Sequence, residues 1–148
     1  MMLFIGSDHA GFELKSQILE SLRLEQRSVE DCGTNSTTSC DYPEFAQKVA
    51  QKVLATPGSR GVLICGSGIG MSMAANKVKG IRAACVSEPQ SAALCRQHND
   101  AQILCLGARI ISRERALECV RAFLSAEFDA SHPRHQRRID QMTQMEKK

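Results

Sequence analysis

The sequence has few of the features that mark membrane, secreted or base-stacking proteins. Its 148 residues include no Trp and only one Tyr, and no apolar run approaches the roughly 20 residues that cross a bilayer. The N-terminal segment MMLFIGSDHAG has no basic residue before its short apolar run and no small-residue cleavage pattern after it, unlike a secretory signal. We therefore expect a cytoplasmic protein without a membrane partner.

The cysteines form no recognisable metal site. None of the seven belongs to a CxxC pair, and none stands at zinc-site spacing from a histidine. Their number is odd, and four lie among apolar neighbours, where a free cysteine usually behaves as a small buried hydrophobic residue: Cys65, Cys85, Cys105 and Cys119. We expect a reducing compartment, no metal, and at most one or two chemically active cysteines.

The excess positive charge lies in the C-terminal tail. The net charge is +3, and residues 132–148 alone hold five basic and two acidic residues. Without interleaved aromatic residues, this tail favours a small anion over nucleic acid as partner. Arg134 and Arg138 lie one helical turn apart, and two guanidinium groups on one face suit a phosphate. A solvated basic helix is the alternative interpretation.

Strand-like and helix-like segments alternate along the chain. Apolar strands are predicted at residues 2–7, 61–65, 81–86 and 102–106, and residues 28–32 are a weaker strand candidate. Helices are predicted at residues 12–24, 43–54, about 71–77, 90–98 and from the capping residue Ser112 to Phe128. Apolar strands joined by amphipathic helices indicate a parallel sheet covered on both faces. We predict one domain over residues 1–148, an α/β class three-layer α/β/α Rossmann-like sandwich with about five parallel strands and an extra basic helix in residues 131–148.

Ligands of such sheets bind at the carboxyl ends of the strands. One of these ends carries the stretch ICGSGIGMS, residues 64–72. It lacks the lysine of a P-loop, places the third glycine of a dinucleotide fingerprint one position early, and has Met71 where a thiol phosphatase has arginine. Backbone N–H groups at this strand-to-helix junction can still converge on negative charge and favour a thiolate at Cys65. Cys65 is a candidate nucleophile or base, and an ordinary buried cysteine before a turn is the alternative.

Two histidine-containing segments are further candidates. His98, followed by Asn99, can serve as a general acid or base near neutral pH. By itself a histidine at this position is more often a surface residue at a helix end. Asp8 and His9 directly follow the first strand, where the aspartate can contact a ligand or cap the next helix.

These pieces, in this order, resemble the ribose-5-phosphate isomerase type B family, which also includes galactose-6-phosphate isomerase subunits and allose-6-phosphate isomerase. The resemblance covers nearly the whole chain and rests on eight stretches: SDHAGFELK at 7–15, DYP at 41–43, ICGSGIGMSMAANK at 64–77, GIRAA at 80–84, SEP at 87–89, RQHND at 96–100, LGARI at 106–110 and RHQRR at 134–138. Any one stretch is weak, but eight in register are specific.

The resemblance implies an aldose-ketose isomerase of ribose 5-phosphate and ribulose 5-phosphate that works through a cis-enediolate, with no metal and no other cofactor. It implies that Cys65 is the base that moves a proton between C2 and C1, and that His98 opens the sugar ring. The anion hole for the enediolate oxygen would be formed by Gly66, Ser67, Gly68, Ile69 and Gly70.

The resemblance also implies the remaining substrate contacts. They are Asp8, His9, Tyr42 and Asn99 for the sugar, and Arg134, Arg138 and, more weakly, Arg109 for the phosphate. One branch of the family has Ser at position 65 and uses Glu at position 71 as base, so Cys65 and Met71 place this chain in the thiol branch. The tail departs from the family at residues 131–133, where a Gly-rich stretch is common.

Family members are dimers or dimers of dimers whose active sites are shared between subunits, so the resemblance implies a homo-oligomer. Three alternatives stay open at this point. Within the same class, the substrate is allose 6-phosphate or galactose 6-phosphate. In a different class, the protein is a non-catalytic sugar-phosphate sensor. A nucleic-acid-binding role for the basic tail is the weakest of the three.

Overall fold

Five short strands form one parallel sheet in the computed structural model, which describes residues 1–147. The strands are β1 (Leu3–Ser7), β2 (Val29–Asp31), β3 (Arg60–Cys65), β4 (Ala83–Cys85) and β5 (Ile103–Gly107). The helices are α1 (Phe12–Leu24), α2 (Tyr42–Ala55), α3 (Ile69–Ala75), α4 (Pro89–Gln97), α5 (Arg113–Ser125) and α6 (Pro133–Met145). The predicted fold class, including the extra C-terminal helix, is confirmed, and Lys148 of the predicted tail lies outside the described residues.

The helices cover both faces of the sheet. Successive strand residues point to opposite faces, so Ile5 and Leu104 pack with α1, α4 and α5, whereas Phe4 and Leu63 pack with α2 and α3. Every ladder in the sheet is parallel. Burial on both faces explains why the three inner strands, β1, β3 and β5, are largely apolar rather than alternating, whereas the outer strands β2 and β4 are only partly buried.

Local signals set several of the helix starts. Pro43 stands in the first turn of α2, where its missing N–H is not needed. The predicted cap of α5 is confirmed, since the Ser112 hydroxyl accepts a hydrogen bond from the Arg115 N–H at 3.1 Å. Glu88 caps α4 in the same way, with its carboxylate accepting from the Ser91 N–H at 2.9 Å.

The strand order is β2-β1-β3-β5-β4. After β1 the chain moves outward to β2, and it then returns to place β3 on the other side of β1. The carboxyl ends of β1 and β3 are therefore neighbours at the point where the strand order reverses, which is where open α/β sheets bind ligands. The Asp8 N–H donates to the Ile64 carbonyl oxygen at 3.2 Å, which fixes the two strand ends against each other.

Some predicted element boundaries are wrong. Strand β4 has only three residues, because Ile81 belongs to a turn in which its N–H donates to the Val78 carbonyl oxygen at 3.1 Å. Helix α3 begins at Ile69 rather than Met71, because Gly68 adopts a φ of 79° and ends the preceding loop. It also ends at Ala75, two residues earlier than predicted.

The fifth helix is shorter than the sequence pattern predicts, and one cysteine is misplaced. Helix α5 ends at Ser125, so Phe128 is not part of it. The Arg60 guanidinium accounts for this end by donating to the Phe123 and Leu124 carbonyl oxygens at 2.7 and 3.1 Å. Cys85, predicted to be buried, is exposed because it lies on the edge strand β4.

Candidate active site

An open cavity of about 600 Å³ lies at the carboxyl ends of β1 and β3. It is lined by Asp8, Tyr42, Cys65, Gly66, Ser67, Ile69, Gly70, Met73, Arg109 and Ile110. Eight of the residue positions that the sequence singles out as a site therefore meet in one cavity, although they come from four separate parts of the chain. Gly68, also predicted, lies buried directly beneath its wall.

The loop after β3 wraps closely around the Cys65 thiol. The Gly68 N–H donates to the Cys65 Sγ at 3.1 Å, and the cysteine side chain is otherwise buried, with 4% of the residue exposed. Gly68 has to be glycine here, because its φ is 79° and an added Cβ would lie 2.9 Å from the Leu106 carbonyl carbon.

Ser67 presents a hydroxyl donor to the same cavity. Its Oγ accepts a hydrogen bond from the Ile69 N–H at 3.2 Å. Since that contact uses a lone pair, the hydroxyl hydrogen stays free to donate to a ligand. The first turn of α3 and the Ser67 hydroxyl thus supply hydrogen-bond donors beside the thiol.

Arg109 brings a positive charge to the cavity mouth. Its backbone N–H donates to the Gly66 carbonyl oxygen at 2.9 Å, which holds the loop after β5 against the loop after β3. An added Cβ at Gly66 would lie 3.0 Å from the Arg109 Nη1, so the guanidinium lies directly over this glycine. The arginine is exposed and can reach a ligand anion.

The Tyr42 ring forms another wall by packing flat on Gly70. A Cβ added to Gly70 would lie only 2.5 Å from the Tyr42 Cζ. The ring is 38% exposed, so its free edge faces the cavity and the solvent. Glycine at position 70 is what allows the first residue of α2 to close over the first turn of α3.

Asp8 and His9 are held by the backbone rather than by each other. The Asp8 Oδ1 accepts from the Gly11 N–H at 3.1 Å, which closes the turn before α1 but does not cap the helix, whose N-cap is Gly11, and Asp8 also lines the cavity. His9 does not line it, but its Nδ1 accepts from the Cys40 N–H at 3.2 Å. In the neutral ring the hydrogen is therefore on Nε2, which leaves His9 a hydrogen-bond donor.

The other predicted residues, which include His98 and Asn99, lie at the opposite edge of the same chain's sheet, where the strands have their amino ends. Gly61 of β3 stands opposite Ile103 of β5, and Cys65 lies four residues further along, about 13 Å at the usual rise of a strand. His98 and Asn99 precede Ile103 and lie beyond the amino end of β5. One chain does not bring His98 to its own Cys65.

The tail helix joins His98 at this second edge. The His98 and His135 rings are stacked, with centroids 4.5 Å apart, and His132 contacts His135 edge-on at 5.6 Å. His135 lies in the first turn of α6, between Arg134 and Arg138, and both arginines are exposed. Two guanidinium groups and an imidazole are thus collected on one surface.

His135 is a residue that the sequence did not single out. It is 5% exposed, and its Nε2 is buried without a hydrogen-bond partner. Loss of hydration lowers the pKa of His135, and the nearby charges of His98, Arg134 and His132 lower it further. A neutral ring follows near pH 7. The only sequence signal was its place inside the RHQRR stretch.

Known proteins resemble this chain over almost its full length. A sequence profile of the family described as Ribose/Galactose Isomerase matches residues 3–142. The chain belongs to this family. Ribose-5-phosphate isomerase B of Escherichia coli is 44% identical over 143 residues, covering 97% of this chain and 95% of the relative.

Solved structures of family members show the same fold. The Clostridium thermocellum ribose-5-phosphate isomerase B superposes with a TM-score of 0.95 at 44% identity, covering 99% of this chain and 98% of the other. The Mycoplasma genitalium enzyme, solved with bound ribulose-5-phosphate, gives a TM-score of 0.92 at 45% identity, covering 99% and 97%.

In this chain, most of the cysteines are poorly suited to act as catalytic thiolates. Burial raises the pKa of the Cys95 and Cys119 thiols to about 11 and that of Cys105 well above its usual value. Burial also raises the pKa of Cys32, and partial loss of hydration raises the pKa of Cys85 although that residue is exposed. Position 71, where one branch of the family has a glutamate, holds a fully buried methionine. Cys65 is the one cysteine that lines the cavity.

The described residues 1–147 contain neither a metal-binding cluster nor a membrane-spanning helix. Nowhere among them do three or more His, Cys, Asp or Glu residues cluster closely enough to hold a metal ion. In the same part of the chain, every helix is too short or too polar to span a bilayer.

Proposed function

We propose that this protein is an aldose-ketose isomerase that interconverts ribose 5-phosphate and ribulose 5-phosphate. The observation that carries the proposal is the Cys65 thiol, which faces the cavity while the Gly68 N–H donates to its sulfur at 3.1 Å. The family membership and the ribulose-5-phosphate bound to the Mycoplasma genitalium relative support the substrate. We also place the reaction in the pentose phosphate pathway.

The reaction moves one proton between C2 and C1 and one between O2 and O1, and it needs no electron acceptor. In the open-chain aldose, the Cys65 thiolate takes the proton from C2, and the electron pair forms the enediolate with negative charge on O1. Donors of the loop, including the Ser67 hydroxyl, stabilise that oxygen, and loss of one such donor typically costs about 3 kcal/mol of barrier. The O2 proton passes to O1 across the cis-enediolate, and the thiol then returns its proton to C1, which leaves the ketone at C2. A base with a pKa near the working pH can both take and return the proton.

The substrate would be held by groups from both edges of the sheet. We propose that Asp8, His9 and Tyr42 contact the sugar together with Asn99. His98 would act as the acid and base that opens the furanose ring. Arg134 and Arg138 would bind the phosphate, with Arg109 in support, because guanidinium groups pair with phosphate oxygens in bidentate fashion.

We propose that a second copy of the chain completes each site. His98 and the tail arginines lie beyond the opposite edge of the sheet from Cys65, so a single chain presents two half-sites. In a two-fold dimer each surface of one subunit meets the other surface of its partner, so two complete sites form. Each chain would contribute as one domain, and a dimer or a dimer of dimers would be the active form. We place it in the cytoplasm, because its seven free thiols suit a reducing compartment.

The substrate assignment is tested by assaying the purified protein on ribose 5-phosphate, allose 6-phosphate and galactose 6-phosphate side by side. We expect the highest kcat/KM with ribose 5-phosphate. Faster turnover of a six-carbon substrate would replace this assignment with one of the other two.

Replacing Cys65 by alanine separates an isomerase from a sugar-phosphate sensor. A missing general base typically costs 10²- to 10⁴-fold, so we expect turnover to fall by about that factor while ribulose 5-phosphate still binds. Cys105→Ala is the matched control, because this thiol is fully buried and lies outside the cavity. Unchanged turnover in the Cys65 variant would exclude Cys65 as the base.

A further inference from the structure

Arg82 forms a clamp on the segment that carries His98 and Asn99. Its Nε donates to the Asn99 carbonyl oxygen at 2.8 Å, and its Nη2 donates to the Asp100 carbonyl oxygen at 2.9 Å. One planar guanidinium therefore holds two consecutive peptide units. A lysine, with a single ammonium group, cannot reproduce this pair of bonds.

The clamped segment has an unusual backbone. Asp100 has a φ of 46°, a conformation that residues other than glycine seldom adopt. The Asp100 carboxylate is held on its other side by Arg96, whose Nη1 donates to Oδ1 at 2.8 Å, while Arg82 lies 3.7 Å from Oδ2. Such conformations persist only where surrounding groups over-determine them, and they cluster at functional sites. Two arginines enforce this one directly after His98 and Asn99.

Arg82 is itself fixed by the sheet and by the end of the tail helix. Its backbone N–H donates to the Gln102 Oε1 at 2.8 Å, and the Gln102 Nε2 donates to the Gly80 carbonyl oxygen at 2.7 Å. The Gly80 N–H in turn donates to both carboxylate oxygens of Glu146, at 3.0 and 3.1 Å. The clamp thus connects the His98 segment to the helix that carries Arg134 and Arg138.

We infer that Arg82 is a positioning residue for ring opening, acting through the backbone of residues 99 and 100 on His98. The inference rests on the proposed function. His98 is then held from two directions: its backbone by the clamp, and its ring by the stack on His135. A catalytic group displaced by about 1 Å loses on the order of 10²-fold in rate, so even a small shift of this segment will be visible.

The two directions of the reaction provide a selective test. Ribose 5-phosphate closes to a furanose and needs ring opening before isomerisation. Ribulose 5-phosphate cannot form a furanose because its C5 oxygen is esterified, so exchange of its C1 proton with solvent needs Cys65 but not His98. Loss of a ring-opening group will therefore lower ribose 5-phosphate turnover and spare the exchange.

The experiment measures both rates for Arg82→Ala and Arg82→Lys, with ribulose 5-phosphate at saturating concentration in D₂O for the exchange. We expect Arg82→Ala to lower kcat/KM for ribose 5-phosphate by about 10- to 100-fold and to leave the exchange within about twofold. Arg82→Lys keeps the positive charge, so we expect it to fold and to show the same selective loss to a smaller extent. His98→Asn sets the full size of the selective loss.

Arg60→Lys is the matched structural control. Arg60 also donates to two consecutive carbonyl oxygens, those of Phe123 and Leu124, and its other side-chain hydrogen bond goes to Glu127 rather than to the backbone of residues 98–100. The Arg60→Lys substitution should lower the Tm without changing the ratio of ribose 5-phosphate turnover to exchange of the ribulose 5-phosphate C1 proton. Equal loss of both rates in the two Arg82 variants, or loss of neither, would overturn the inference. A wild-type protein that neither isomerises nor exchanges would instead refute the proposed function, and the inference with it.

Discussion

A mixture of two inactive variants should regain activity if sites are shared between subunits. Cys65→Ala removes the base from one edge of the sheet, and His98→Asn removes the ring-opening group from the other. Gly61 and Cys65 lie about 13 Å apart along β3, and His98 lies beyond the Gly61 end. Cys65 and His98 of one chain are therefore separated by more than this distance. Neither homodimer then has a site with both groups.

The size of the recovery follows from two-fold symmetry. In a randomly mixed population about half of the dimers contain one copy of each variant. Each mixed dimer has one site with both groups intact and one with neither, so activity should return to about a quarter of the wild-type value in the mixture and to about half of it in mixed dimers purified through both tags. Removal of an acid or base costs 10²- to 10⁴-fold, so each homodimer should contribute about 1% or less.

The assay uses co-refolding of differently tagged chains, purification through both tags, and turnover of ribose 5-phosphate. Mixing His98→Asn with Arg138→Ala is the matched control, because both changes lie at the same edge and no mixed dimer has an intact site. This pair should not recover. Purified mixed dimers of the first pair that stay as inactive as the homodimers would refute the shared site.

Three further predictions concern single positions. Gly70→Ala should raise KM several-fold, because the added methyl group displaces the Tyr42 ring from the cavity wall. Its stability should stay level or rise, because alanine favours the helix by up to about 1 kcal/mol. An unchanged KM would contradict a role of the Tyr42 ring in substrate binding. The pKa of His135 is lowered in the folded state, so the free energy of unfolding in urea should fall as the pH drops below about 6.5, where the unfolded chain takes up the proton. His135→Phe should make this fall smaller. Parallel stability curves for the variant and the wild type would contradict a lowered pKa of His135. Alkylation near neutral pH, followed by mass spectrometry, should modify Cys65 long before Cys105, because burial raises the pKa of Cys105. Ribulose 5-phosphate should protect Cys65. Early labelling of Cys105 would show that burial does not suppress its thiolate.

Local patterns in the sequence were enough to predict the class of fold. Apolar runs of four to six residues predict strands, and the i, i+3, i+4 repeat predicts helices such as α2, because both periods follow from backbone geometry within a few residues. The errors fell where a distant contact decides the outcome. Helix α5 ends early because Arg60, far away in the chain, binds its last carbonyl oxygens.

The resemblance to a family named the candidate site residues without locating them. Cys65 ends a strand, and Asp8 and Arg109 each follow one, so their common edge could be expected from the parallel arrangement alone. His98 ends a helix and so lies at the other edge, which a list of site residues does not reveal. Arg82 was missed because its role is to bind backbone carbonyl oxygens, and such contacts leave no pattern in the residues that they hold.

The sequence by itself determined the alternation of strands and helices, the glycine loop around Cys65 and the basic tail, because each depends on neighbours within one or two turns of chain. Only the tertiary structure decided which of these pieces meet. The strand order β2-β1-β3-β5-β4 places Asp8 beside Cys65, and the direction of α4 carries His98 to the far edge. Such contacts depend on how the whole chain packs its apolar faces, and packing joins residues that local periodicity treats as unrelated.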